Sequence, residues 1–274
     1  MVNEDESIKT VTSGVALVGE IIKAAGDNPE VKEAGKNLGR TASTITKFIN
    51  NALLPIAALN FGFDKARIYF SEKFESDISQ KISAIPPELI IEPKASIAGP
   101  ALQGLAFTHE EVNLKDMYLS LLATAMDARV ASEAHPAFVE IIKQLTSEEA
   151  LLIRVIIQDR ATFPIVEIRL RNSMSYTPLI KHMLNNTDNT TQAPLENNRL
   201  PAMVDNWIRL GLVEVVYGTT LTAADAYAWV SSRPEIAKLK REHETDTNKL
   251  DFQHGIIERT ALGCQFEKAV GLHS

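Results

Sequence analysis

The sequence predicts a mainly α protein: a helical N-terminal domain followed by a winged-helix-like α+β C-terminal domain with a helical insertion. Three observations carry this expectation. Apolar residues recur every three or four positions through much of the first half, the spacing of one helix face. After Pro164 the period shortens to two: Val166, Ile168 and Leu170 alternate with Glu167, Arg169 and Arg171, the pattern of a strand with one wet face. A helix closed by Gly211 and two further strands then complete the order of a winged-helix module. The expected domains are 1–145 and 146–274, with the insertion over about 222–244.

Residues 11–25 place Val11, Val15, Val18 and Ile22 at helical spacing, and Gly26-Asp27-Asn28-Pro29 ends that helix. Residues 43–59 are strongly apolar and carry Pro55, which predicts a kink, and the two windows are expected to pair as a helical hairpin. Residues 61–85 form the clearest long helix, with Phe63, Ala66, Phe70, Phe74, Ile78 and Ile82 on one face. Pro86-Pro87 stops it, because proline has no N–H to donate. Residues 88–100 read as an extended connector whose Ile90, Ile91 and Ile97 are buried. A short helix over 101–107 and a longer one over 110–131 follow. Pro136 suits the first turn of a helix over 137–145. Thr146 and Glu149 have the spacing of a capping box, which opens a helix through Ile157.

In the second half, residues 185–198 read as a polar loop. Residues 201–210 take the recognition-helix position, 212–217 form a strand ended by Gly218, 255–259 a return strand, and 261–270 the last helix.

Composition bounds the function. The chain has 274 residues, 45% apolar and 23% charged, which is ordinary for a folded protein. Its net charge of −7 argues for solubility and against a general polyanion binder, and neither half is basic. Cys264 is the single cysteine, so no disulfide within the chain and no thiolate zinc cluster can form. A cytoplasmic location is expected, and the acidic residues among the first six have the wrong sign for a secretory signal. The longest charge-free window, 48–63, holds three Asn and a Pro and falls short of the roughly 20 apolar residues that span a bilayer. A membrane is therefore not the expected partner.

No motif carries chemistry. Gly35-Lys36 has Glu30 where a phosphate cradle needs its first glycine, and Asn37 where it needs Ser or Thr. There is no G-x-S-x-G elbow and no strand leading into G-x-G-x-x-G. Histidines 109, 135, 182, 243, 254 and 273 show no short metal-ligand spacing. His135, before Pro136, reads as a helix-terminus or core histidine, and Cys264 as a buried structural thiol. The expectation is a protein without catalytic residues, metal, cofactor or small-molecule substrate.

A candidate nucleic-acid or partner face remains. Arg169 and Arg171 lie on the wet side of the strand, Lys181 is near, and Arg199 and Arg209 flank the helix that carries Asn206. Arginines can hold phosphates and Asn206 can read a base edge. Asp205 in the same helix and the acidic balance weigh against DNA. A protein partner or self-association is the expected mode. A DNA-binding regulator of a defence or prophage locus is the alternative. A membrane-active toxin, built on 11–25 and 43–59, is a third reading.

Several stretches together resemble the bacterial abortive infection alpha family. They are Ile82-Ser83-Ala84-Ile85-Pro86 through Ile90-Ile91-Glu92-Pro93, then Ile97-Ala98-Gly99-Pro100-Ala101-Leu102, then 114–127 with its Leu-Leu-Ala-Thr-Ala-Met-Asp ending. His135-Pro136-Ala137-Phe138-Val139-Glu140 through Leu145, with Ser147-Glu148-Glu149-Ala150, is the most specific part, and 259–266 looks like that family's closing segment. The resemblance implies a place in anti-phage defence, in which an infected cell stops growth before phage mature. It supplies no catalytic residues. The first 40 residues and the 222–244 insertion lie outside the matching stretches.

Overall fold

The computed structural model describes residues 60–158, 162–188 and 190–272. The expected helices at 11–25 and 43–59 lie outside these residues. The described residues divide into two compact units, 60–151 with 267–272 and Leu152–Phe266.

In the first unit the long helix expected over 61–85 is two helices, α1 (Asn60–Glu72) and α2 (Phe74–Ile82), broken at Lys73 with φ −120°. The buried positions follow the sequence spacing: Ala66, Phe70, Phe74 and Ile78 all face the core. Helix α3 (Ala95–Thr108) starts well before the expected 101 and contains Pro100, so part of the expected connector is helical. The lost helical hydrogen bond at Pro100 is outweighed by a stripe of Ile97, Ala98, Ala101, Leu102 and Leu105, each no more than 1% exposed. Helix α4 (Val112–Met126) packs on α2 and α3, and α5 (Pro136–Lys143) on α3 and α4. Met126 and Asp127 close α4 against the connector, where Ile90 bridges to Asp127.

Local signals at the helix ends hold. His135 caps α5, its Nδ1 accepting the Ala137 N–H at 3.1 Å, and Pro136 occupies the first turn. The capping box at α6 (Ser147–Ile157) is complete: the Glu149 N–H donates to Thr146 Oγ1 at 3.2 Å, and the Thr146 N–H to Glu149 Oε2 at 2.8 Å.

The second unit is not a winged-helix module. It is built on a four-stranded antiparallel sheet of order β2-β1-β4-β3, comprising β1 (Phe163–Arg171), β2 (Tyr176–Leu184), β3 (Val213–Tyr217) and β4 (Lys249–Arg259). A winged helix requires a helix after its first strand; here that segment is β2, which returns as a hairpin on β1. The strand is hidden in sequence because its period is interrupted. Val166 pairs with Met183 but Ile168 with Ile180, so two residues of β2, Lys181 and His182, face one of β1. Such a bulge breaks the two-residue alternation on which strand recognition depends.

The face of β1 expected to be wet is only partly so: Glu167 is buried, Arg169, which donates to Glu167 and Gln253, is half-buried, and Arg171 at the strand's end is exposed. Helix α7 (Leu200–Arg209) packs Leu200, Met203, Val204 and Trp207 toward β2 and β3, and Gly211 ends it at φ 73°. The insertion between β3 and β4 holds a 3₁₀ turn, Ala228–Ser232, and helix α8 (Pro234–His243). It belongs to the core: Val230 and Ile236 pack on Val166, Ile168 and Met183. Buried Arg233 fastens it, donating to the carbonyls of Asn186 at 2.6 Å and Leu195 at 2.8 Å. Helix α9 (Ala261–Ala269) closes the described chain. Cys264, expected to be buried, is half-buried there.

Candidate functional site

Two constellations stand out, one in each unit. The first grows from the β2 bulge. His182 sits there with φ 54°, a conformation that a non-glycine residue adopts only when its surroundings enforce it. The bulge turns the imidazole toward Tyr217 at the end of β3 and Asp205 on α7. The His182 N–H donates to Tyr217 Oη at 3.1 Å, and His182 Nδ1 lies 3.0 Å from the same oxygen. His182 Nε2 lies 3.2 Å from Asp205 Oδ1. Burial pushes the imidazole below its usual range, against the opposing pull of Asp205. Burial likewise pushes the Tyr217 phenol up to about 12. The neutral tautomer with Nε2–H satisfies every contact: Nε2–H donates to Asp205 and the Tyr217 O–H donates to Nδ1.

Of the residues expected to form a basic face, Arg169, Arg171 and Arg209 have polar partners of their own. Arg169 Nε donates to Glu167 Oε2 at 2.8 Å and Nη1 to Gln253 Oε1 at 3.0 Å, while its guanidinium lies 4.2 Å from the Tyr176 ring centroid. Arg171 pairs with Asp251 at 3.1 Å. Arg209 donates to Asn206 Oδ1 at 2.6 Å. Arg199 and Arg209 stand at opposite ends of a ten-residue helix, about 15 Å apart along its axis. Lys181 is exposed on the bulge and lines a separate cleft with Glu196, Asn197 and Pro201. The six residues share one unit, with Arg199 and Arg209 at opposite ends of α7.

The second constellation lies in the first unit, and no single stretch of sequence announces it. Helices α3, α4 and α5 and the turn before α6 border a groove of about 480 Å³. Its lining is mixed: Pro100, Leu114, Ile142 and Leu145 are apolar, and Gln103, Glu111, Glu140, Lys143 and Thr146 are polar or charged. Phe107 stands at the edge and is 57% exposed. Tyr118 lines the groove too; its residue is fully buried, its hydroxyl has no hydrogen-bond partner, and burial pushes the phenol far up. Gly104 makes room for that hydroxyl, since a Cβ there would fall 2.4 Å from it.

Among the described residues no group of three or more His, Cys, Asp or Glu is placed to hold a metal ion, and no helix is long and apolar enough to cross a membrane. No curated protein and no solved structure matches the chain. The family model described as abortive infection alpha matches residues 66–270, well over half of the 274, and takes in both units. The match implies an abortive-infection defence role. The stretches at 82–93, 97–102, 114–127, 135–150 and 259–266 all fall inside it, and three of them, 97–102, 114–127 and 135–150, supply walls of the groove. The chain belongs to the abortive infection alpha family.

Proposed function

We propose that the protein serves abortive infection by binding another protein, as a sensor or effector without chemistry of its own. The observation that favours this reading is the groove between α3, α4 and α5. It combines features that suit protein docking: apolar and charged side chains in one lining, and an aromatic side chain left in water. Phe107 at such a groove offers a partner a large apolar side chain to cover.

The test is capture of the tagged full chain from cells before and after phage infection, with and without nuclease. A stoichiometric protein that survives nuclease and is reduced by Phe107→Ser is the expected result. Recovery of nucleic acid, with everything else lost on nuclease treatment, would overturn the reading in favour of a DNA-binding regulator.

A further inference from the structure

We infer that the free edge of β3 takes one extended segment of a protein partner, which pairs with it by main-chain hydrogen bonds as a fifth strand of the sheet. The inference rests on the protein-binding reading, but on a surface of the second unit and not on the groove.

The register of β3 on β4 decides which of its backbone groups are already used. The two strands pair without interruption from Val213 with Arg259 to Tyr217 with Gly255. Just beyond the two ends, the Thr260 N–H donates to the Leu212 carbonyl at 3.1 Å and the Gly218 N–H to the His254 carbonyl at 3.1 Å. In an antiparallel ladder the residues that exchange such bonds alternate. Glu214 and Val216 therefore turn their N–H and C=O groups to β4, and Val213, Val215 and Tyr217 turn theirs outward. β3 ends the order β2-β1-β4-β3, so no strand of the sheet lies on that side. Among the described residues these outward groups make no hydrogen bond, and Tyr217 bonds only through its hydroxyl. Val213 is 2% exposed, so the open stretch is Val215 to Tyr217, with Val216 between them 38% exposed.

The opposite edge of the sheet carries guards that β3 lacks. β2 contains Pro178, which has no N–H, and its register on β1 shifts twice. Such features keep a sheet from recruiting a further strand. β3 reads Val-Glu-Val-Val-Tyr, with neither proline nor bulge, and four of its five side chains are of the β-branched or aromatic kinds that favour strands.

The spacing names the occupant. Outward N–H and C=O groups on Val215 and Tyr217 recur at every second residue, about 6.8 Å apart, the repeat of an extended polypeptide backbone. A second copy would have to bring its own α7, which packs on β3, up to the same edge. A lone segment needs only the width of one strand, about 4.8 Å. A β-branched or aromatic residue of the segment is expected beside exposed Val216.

The experiment selects a displayed random peptide library on the immobilised full chain and follows the enriched peptides by fluorescence polarisation. Backbone nitrogens of one such peptide are then methylated one at a time. The effects should alternate: methyls on N–H groups that face β3 weaken binding about tenfold or more, and those between leave it within about twofold. Amide exchange at Val215 and Tyr217 should slow when the peptide binds. Val215→Pro removes an outward N–H and no bond to β4, so it should fold and lose binding.

Absence of enrichment, methyl effects without alternation, or unchanged exchange at Val215 and Tyr217 would overturn the inference. None of these readouts depends on Val215→Pro folding. Failure here is separable from that of the wider reading. A nuclease-resistant partner captured equally by the parent and by folded Val215→Pro overturns the edge alone. Loss of all captured protein on nuclease treatment overturns protein binding itself.

Discussion

Tyr217 Oη holds His182 at two points, accepting the backbone N–H at 3.1 Å and lying 3.0 Å from imidazole Nδ1. One hydroxyl thereby secures both the bulged backbone and the ring it displays. The neutral imidazole suits this arrangement. When protonated, Nδ1–H must donate toward an oxygen already accepting from the backbone, and the Tyr217 proton loses its acceptor.

Stability should therefore depend on the ionisation of His182. Its folded-state pKa lies below the unfolded value of about 6.5. The unfolded chain binds the proton first, so the contribution is complete above about pH 6.5. It declines as pH falls toward the folded value and levels off beneath it. Urea denaturation of the parent and of His182→Asn across this range should show a stability difference that shrinks as pH falls. A constant difference would sink the idea. Asn is the suitable replacement because it tolerates positive φ.

Tyr217→Phe should leave the His182 N–H without an acceptor inside the fold. The expected loss is about 1–3 kcal/mol in urea denaturation, with faster amide exchange at His182. Unchanged exchange there would mean that the bulge does not need the hydroxyl.

Arg169 should matter to folding rather than to nucleic-acid contact. Its side chain is 12% exposed and that of Glu167 is 7% exposed, so Arg169→Met leaves a buried carboxylate alone. A loss of about 3 kcal/mol is expected, with most of it restored when Glu167→Leu is added. Chemical denaturation of the single and double variants checks this. Full stability in Arg169→Met would refute it.

Gly263→Ala should be poorly tolerated. A Cβ there would fall 2.1 Å from the backbone carbonyl oxygen of Leu212, which cannot swing aside as a side-chain tip can. The start of α9 must shift, at a cost of about 1–3 kcal/mol, seen as a lowered melting temperature.

Thr146→Ala removes one half of the capping box at α6 and should cost about 1 kcal/mol in the same measurement. A Thr146→Ser variant, which keeps the hydroxyl, should recover most of it.

The sequence by itself determined what depends on near neighbours. The Thr146–Glu149 box, Pro136 in the first turn of α5, the stop at Gly211 and the buried stripe of α1 and α2 are set by residues within about a turn of one another. The family was legible for the same reason, since short local stretches carry it. Tertiary structure decided the rest. The alternation in β1 is real, yet how far a face meets water depends on the side chains gathered on it: Arg169 donates to both Glu167 and Gln253, and Glu167 is buried rather than wet. β2 escaped notice because the bulge at Lys181 and His182 interrupts its period, and without it the remaining order mimics a winged helix. His182 meets Tyr217 across 35 positions of chain, and the groove gathers residues from Pro100 to Thr146 on three helices and a turn. No periodicity records such meetings, because they are set by how elements pack and not by the residues that flank each one.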